Sequence, residues 1–325
     1  MTLLSIRDLV VEFPTPAGVV RAVDHVSLEL GFGERLGVVG ESGSGKSVLA
    51  RTAMGLTRKG PARISGEVVI DGRSILGLSE RGRRALWGRE VAMVFQDPLS
   101  ALHPITPIGA QIAEAVRRDP SVKKEQAAKR AVELLEIVGI PQAARRAKSR
   151  AHELSGGMRQ RVAIAMAVAG RPKLLFADEP TTALDVTVQA RILDLFDELC
   201  REFGIGIVMV SHDLGVVGRH TDHVAVMYAG RIAERGPVKA VFARPSMRYT
   251  SALMAAIPSH RAERQTLPKP IPGSPPNLLA PPPGCRFAPR CAFATDRCGT
   301  EQPTLTELSG GHEYACWHPG QEAVR

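Results

Sequence analysis

The 325-residue sequence lacks a long hydrophobic run; nothing in it approaches the ~18 consecutive apolar residues of a membrane span. Its longest apolar stretches, residues 162–169 and 205–210, are short and lie inside α/β patterns. The first eight residues place no basic flank before an apolar core, so they do not read as a signal peptide, and the chain is expected to stay in the cytosol. No internal repeat is visible. What is present is 44% hydrophobic and 23% charged, the balance of a soluble globular protein, with length for one large domain or two ordinary ones. A net charge of +9 suits an anionic partner such as nucleic acid or a lipid surface, or serves solubility alone. The densest basic cluster, Arg145, Arg146, Lys148 and Arg150, reads as a solvated face.

The most informative stretch is Gly40-Glu41-Ser42-Gly43-Ser44-Gly45-Lys46-Ser47, a G-x-x-x-x-G-K-S pattern. Residues 35–39 before it read as a short buried strand, and residues 47–54 after it, beginning Ser47-Val48, as a helix. A strand, a glycine-rich turn and a helix N-terminus make an anion site, because successive N–H groups and the helix dipole point into one concavity. In that setting Lys46 would reach the terminal phosphates of a nucleotide and the Ser47 hydroxyl would ligate Mg²⁺.

Upstream, residues 4–13 and 19–30 read as alternating strands, and residues 66–70 as another that ends in the turn pair Asp71-Gly72. Phe13 reads either as a ring that stacks on adenine or as an ordinary core aromatic. Residues 91–95 form a buried strand that feeds a loop at Gln96. From 108 to 140 the pattern turns helical, most clearly at 111–118 and 125–138. A second helix entry follows at Ser155-Gly156-Gly157, with Ser155 as N-cap and a stop at Gly170. Residues 173–177 are a buried strand that delivers Asp178 and Glu179 to its C-terminal end, where open α/β sheets put their chemistry. There Asp178 would hold Mg²⁺ and Glu179 would orient or deprotonate a water. A helix over 187–203 and a strand over 206–210 lead to His212. Past a hairpin at 228–237 the pattern is helical over 240–257. Residues 258–283 carry nine prolines, which marks a linker or a surface arm.

In this order the motifs resemble those of an ABC-transporter ATPase subunit. The phosphate loop is 40–47, the glutamine loop Gln96, and the signature runs from Leu154 through Ser155, Gly156 and Gly157 to Gln160. Asp178 and Glu179 match the second Walker motif, Asp185 the D-loop, and His212 the switch histidine. The resemblance covers about residues 3–257. It implies a P-loop α/β core with an antiparallel β subdomain and a helical subdomain at about 97–157. It also implies an ATPase site with Mg²⁺ on Ser47, Gln96 and Asp178, and each ATP sandwiched between one subunit's phosphate loop and another's signature. A narrower resemblance, to the oligopeptide/dipeptide importer branch, rests on residues 40–48, 95–100, 181–189 and 284–291. It departs at His103, where that branch commonly has Asn. It implies a homologous second ATPase subunit, as a heterodimer, two transmembrane permease subunits and, indirectly, an extracytoplasmic solute-binding protein. The chain would then lie peripherally on the cytoplasmic face of the membrane and bind no nucleic acid. Nickel or another solute is the alternative cargo. A soluble ABC ATPase acting on nucleic acid or ribosomes is the alternative of another class, although such proteins typically carry tandem modules or a long coiled coil.

The domains expected are therefore 1–257 for the ATPase, 258–283 for the linker and 284–325 for a small cysteine-rich tail. In the tail Cys285, Cys291, Cys298 and Cys316 are spaced x5, x6 and x17, and Cys200 stands apart in a helix. A cytosolic chain argues against disulfides, and the spacings lack the close pairs of structural zinc sites. Four thiolates in one short segment fit a [4Fe–4S] cluster, as in members of the importer branch. Zinc, with His312 and His318 as further ligands, and unmetallated thiols remain open.

Overall fold

A computed structural model of the chain describes residues 1–57, 60–182, 184–257 and 270–320. The N-terminal segments form β1 (Thr2–Thr15), buried on both faces over residues 3–6 and 9–11 in place of the expected alternation, and β2 (Gly18–Gly31), which buries one side of its pleat over residues 22–30. The apolar run after them is β3 (Arg35–Val39), followed across the glycine-rich loop by α1 (Lys46–Ala53). β4 (Arg63–Ile70) and β5 (Arg73–Ser74) flank Asp71-Gly72, both at positive φ (48° and 74°), as a tight hairpin turn requires. Then α2 (Glu80–Leu86), capped by the Ser79 hydroxyl, leads into the fully buried β6 (Val91–Val94).

The helical stretch comprises α3 (Ile108–Val116), α4 (Lys124–Ile137), the short α5 (Ala143–Arg146) and α6 (Gly156–Val168). It is held together by buried Ile108, Ile112, Leu134, Leu135 and Ile164. β7 (Leu174–Asp178) and β8 (Gly206–Ser211) are buried throughout, and α7 (Val186–Phe203) lies between them in sequence. α7 buries Ile192, Leu195, Phe196 and Leu199 at three- and four-residue spacing, one stripe of an amphipathic helix. Beyond lie α8 (Leu214–His220), the hairpin β9 (His223–Tyr228) and β10 (Arg231–Pro237), then α9 (Val238–Ala243) and α10 (Arg248–Ala255). The chain ends in α11 (Asp296–Thr300), β11 (Thr306–Ser309) and β12 (His312–Tyr314).

The molecule divides into two compact units. The first contains Met1–Leu4, Glu29–Arg35 and Val69–Val210. Its core is the parallel set β8-β7-β6, in register at Leu174↔Gly206 and Val91↔Leu174, and it carries the helical stretch. The second contains Ser5–Leu28, Leu36–Val68 and Ser211–Arg325. Here β3 runs parallel to β9, β9 antiparallel to β10, β10 to β12, and β12 to β11.

Two expectations need correction. The helix expected over 240–257 is broken between Ala243 and Arg248, around Pro245, which can donate no backbone hydrogen bond. The N–H groups of Ser246 and Met247 are satisfied instead by the buried Glu234 carboxylate, at 2.6 and 3.2 Å, which also meets His312 Nε2 at 2.7 Å.

The second correction concerns the iron–sulfur cluster. Residues 284–320 are not a tail folded around metal. They belong to the second unit, through β12 and through an apolar cluster of Tyr228, Tyr249, Val241 and Phe287. Cys285 and Cys298 are buried in that cluster, and Cys291 and Cys316 pack against it half-buried. Among the described residues no three cysteine sulfurs come within 4.8 Å of one another. Burial pushes the Cys285 thiol up to about 11 and raises Cys291 and Cys316, so the neutral thiol is the favoured form. Small buried cysteines behave as hydrophobes, and these four fill a core. Of the expected linker, residues 258–269 lie outside the described residues, as does Ala183, the first residue of the expected D-loop 183–185.

Candidate nucleotide-binding site

In the second unit the phosphate loop leaves the buried end of β3 and enters α1 through Gly45, which is the N-cap at φ 99°. At Gly40 (φ 151°) a Cβ would collide with the carbonyl oxygen of Met227, and at Gly45 with that of Ala22. Only glycine fits either place. The loop is thus pressed against two backbones, with its remaining face open: Gly43 (φ 78°) has nothing within 4 Å of a hypothetical Cβ, and Ser42 is exposed. Lys46 is 5% exposed and lies back along the loop, donating to the carbonyl oxygens of Gly40 (2.8 Å) and Glu41 (2.9 Å). Ser44 is buried and its carbonyl accepts from the Gly230 N–H at 2.9 Å. Ser47 and Val48 are half-buried in the first turn of α1, and Phe13 is half-buried on β1. His212 is exposed just past β8, and the next residue, Asp213, caps α8.

Sequence reading missed the residues that grip the loop from the C-terminal region. The Tyr249 hydroxyl accepts from the Glu41 N–H at 2.9 Å. Arg290 makes a two-pronged ion pair with the Glu41 carboxylate, Nη1 to Oε2 at 2.6 Å and Nη2 to Oε1 at 2.9 Å. Its Nη1 also donates to the Tyr228 hydroxyl at 3.1 Å and its Nε to the Pro272 carbonyl at 2.8 Å. Nearby, buried Asp24 gathers Arg21, Arg231 and Arg286, and Arg286 also donates to the Ala229 carbonyl. The sequence does hold Arg290 inside the cysteine-flanked segment, but nothing local names its partner.

In the first unit β7 ends at Asp178, which is 1% exposed. Glu179 follows at φ 47°, a left-handed conformation that a residue with a long side chain adopts at a cost of about 1–3 kcal/mol. It is held there by its N–H, which donates to the Val210 carbonyl at 3.0 Å. The Glu179 carboxylate accepts from Gln96 Nε2 at 3.2 Å and from the Thr182 hydroxyl at 3.0 Å. The residues anticipated as glutamine loop and catalytic carboxylate are therefore in contact.

The signature segment enters α6 as expected: the Ser155 hydroxyl accepts from the Met158 N–H at 3.3 Å, and Ser155 and Gly156 are exposed. Gly157 is required because a Cβ would press on the Val188 side chain at 2.6 Å. Leu154 is buried beneath the turn. Gln160, on α6, is 1% exposed. Asp185 caps α7, accepting from the Val188 N–H at 2.9 Å. His103 braces the turn before α3, its Nδ1 3.0 Å from the Thr106 hydroxyl.

A strand–glycine loop–helix with a buried lysine, a strand-end Asp-Glu pair and a serine-capped, glycine-opened helix are the parts of a nucleotide hydrolase. A family model described as ABC transporter matches residues 23–182, and one described as the C-terminal region of oligopeptide/dipeptide transporters matches 233–298. The chain is 47% identical over 320 residues to a probable peptide ABC transporter ATP-binding protein of Sinorhizobium fredii, covering 98% of this chain and 96% of the relative. It is likewise 47% identical over 322 residues to the oligopeptide transport ATP-binding protein OppD of Escherichia coli, covering 99% and 95%. Both relatives are peptide-transport ATP-binding proteins by description, with no iron–sulfur role in it. Among solved structures, a dimeric ATP-binding cassette in a post-hydrolysis state bound to ADP and Pi superposes with a TM-score of 0.65 at 26% identity, over 72% of this chain and 98% of that one. The chain belongs to the ATP-binding ATPases of ABC transporters, in the oligopeptide/dipeptide branch.

Proposed function

We propose that this chain is the ATP-hydrolysing subunit that energises import of di- and oligopeptides through a membrane ABC transporter. The observation that carries this reading is the identity over nearly the whole chain with proteins of that description, through the C-terminal region as well as the cassette. The loop amides of 40–47 and Lys46 bind the phosphates, with Phe13 as the candidate adenine platform. Ser47, Gln96 and Asp178 offer hydroxyl, amide and carboxylate oxygens, a hard donor set that suits Mg²⁺, whose chemistry is to neutralise phosphate charge. Glu179 takes a proton from, or orients, the attacking water, and Gln96 holds its carboxylate. His212 contacts the terminal phosphate. Ser155, Gly156 and Gly157 present helix N–H groups to the nucleotide of a second, homologous ATPase subunit, beside Asp185.

Two permease subunits, fed by an extracytoplasmic binding protein, would receive the motion through the helical stretch. No helix among the described residues is long and apolar enough to cross a membrane, which suits a peripheral subunit on the cytoplasmic face. The test is uptake in cells lacking this chain. The wild-type gene should restore uptake of labelled tripeptide and Glu179→Gln should not; restoration of nickel uptake with no effect on peptides would overturn the cargo assignment. Mixing Ser155→Arg with Lys46→Ala protein tests pairing, since recovered ATPase activity would point to a homodimer and not the heterodimer proposed.

A further inference from the structure

A loop that cradles phosphates is built from N–H groups, and a carboxylate at its second position opposes its purpose. Glu41 is such a carboxylate, and it is held at three points. Its N–H donates to Tyr249, its carbonyl accepts from Lys46, and its carboxylate is paired with both terminal nitrogens of Arg290. Arg290 has no slack of its own. Its side chain is 5% exposed, its Nε is committed to Pro272, and one Nη is shared with Tyr228. The tyrosines are seated in turn by Phe287: the three ring centroids lie 4.4–5.4 Å apart. Lys46, the residue on which phosphate binding depends, shares the Glu41 main chain with this clamp. Tyr249 and Arg290 both fall outside the stretch that matches the ATP-binding model and inside the stretch that matches the C-terminal one.

We propose that Arg290 is a positioning residue of the nucleotide site: it neutralises Glu41 and fixes the phosphate loop, so the C-terminal region completes the loop's binding form. This rests on the ATP-site reading above. Two effects follow from the geometry, and they separate. Loss of Arg290 frees a carboxylate to repel the phosphates, and it also loosens the loop. The first effect disappears if the carboxylate is removed as well; the second does not. Both act on nucleotide binding and leave Glu179 and Gln96 untouched, so KM rises while kcat holds.

The experiment measures binding of trinitrophenyl-ATP and steady-state ATPase on the full chain, with Lys46→Ala as the control for loss of the site. Arg290→Ala should weaken binding about tenfold, with kcat within about twofold of wild type. Glu41→Gln combined with Arg290→Ala should return binding to within about threefold of wild type, and Arg290→Lys should recover part of the loss. The deficit of Arg290→Ala should shrink between about 50 and about 500 mM salt, because repulsion is screened. A double variant as weak as Arg290→Ala, or an Arg290→Ala protein that binds like wild type, overturns the proposal. Should Arg290→Ala not fold, Glu41→Gln alone decides: with the carboxylate removed and the loop only loosened it should bind within about threefold of wild type, and a loss of about tenfold or more overturns the charge argument. Failure of the wild-type chain itself to bind, alongside Lys46→Ala, would instead reject the ATP site.

Discussion

Asp24 offers the sharpest test of what holds the second unit together. Its carboxylate is fully buried on β2 and accepts from Arg231 Nε at 2.6 Å, from Arg286, and from Arg21 at 3.2 Å. Those guanidiniums come from β10, the C-terminal region and β2 itself, so one side chain ties three parts of the chain. Burial works against the charged carboxylate, but Arg286, Arg231 and Arg21 together outweigh it and hold its pKa below the ordinary 3.8. Arg21 is substantially exposed, so its share is small. Arg286 is not, and Asp24→Asn leaves that guanidinium buried without a counterion.

Removing one partner of a buried pair costs about 3–5 kcal/mol, a large part of the roughly 5–15 kcal/mol of a typical domain. For a unit of this size the midpoint of thermal unfolding should fall by roughly 6–20 °C. Trp317 lies in the same unit, stacked on Arg297, so urea unfolding followed by its fluorescence in a Trp87→Phe background reads this unit directly. Because the folded pKa is depressed, the contribution of Asp24 is full above 3.8 and is lost as pH falls through the lower folded value. The gap between wild type and Asp24→Asn should therefore be constant across neutral pH and close only in acid. A loss under about 1 kcal/mol at neutral pH would refute the reasoning, since it would place this cluster with ordinary surface pairs.

Three further outcomes follow. Glu179→Gln should keep ATP binding and slow hydrolysis by about two to four decades, ~3–5 kcal/mol of transition-state stabilisation, and near wild-type turnover would sink its role. Gly45→Ala should abolish trinitrophenyl-ATP binding, because φ 99° and the Ala22 carbonyl leave no place for a Cβ; unchanged affinity would mean the loop can move away. Cys285, whose thiol is pushed from 9.0 to about 11, should react with iodoacetamide at pH 8 about a hundredfold more slowly than an ordinary cysteine. The stability this burial brings is full below 9.0 and lost as pH rises through about 11, and fast labelling in the folded protein at pH 8 would contradict it.

The parts of the site that were legible in the sequence are those whose cause is local. A glycine spacing, a serine before a helix and an apolar run that ends in Asp178-Glu179 each dictate a turn, a cap or a strand end within a few residues. The structure repeats them with small shifts: Asp178 is the last residue of β7 and Ser155 is the N-cap of α6. Where the cause is a distant partner the local pattern misleads. Residues 240–257 carry helical periodicity, yet Pro245 breaks it and Glu234, more than ten positions upstream, takes up the freed N–H groups. Four cysteines in one segment have the same sequence pattern whether they hold metal or fill a core, and only their neighbours, Tyr228, Tyr249 and Phe287, decide for the core.

The phosphate loop shows why both kinds of cause are needed at one site. Its glycines announce themselves, but they are required by carbonyl groups at Ala22 and Met227, which any residue type supplies. Backbone packing of this kind leaves a mark on the glycine and none on its neighbour. The clamp on Glu41 is the reverse case, with side-chain identity essential at both ends and the two residues 249 positions apart. A carboxylate beside a phosphate site repels the ligand less when a cation neutralises it, and at Glu41 that cation is Arg290. Tyr228 at the end of β9 and Tyr249 on α10, packed on one another, hold that pair in place, the first accepting from Arg290 and the second from the Glu41 N–H.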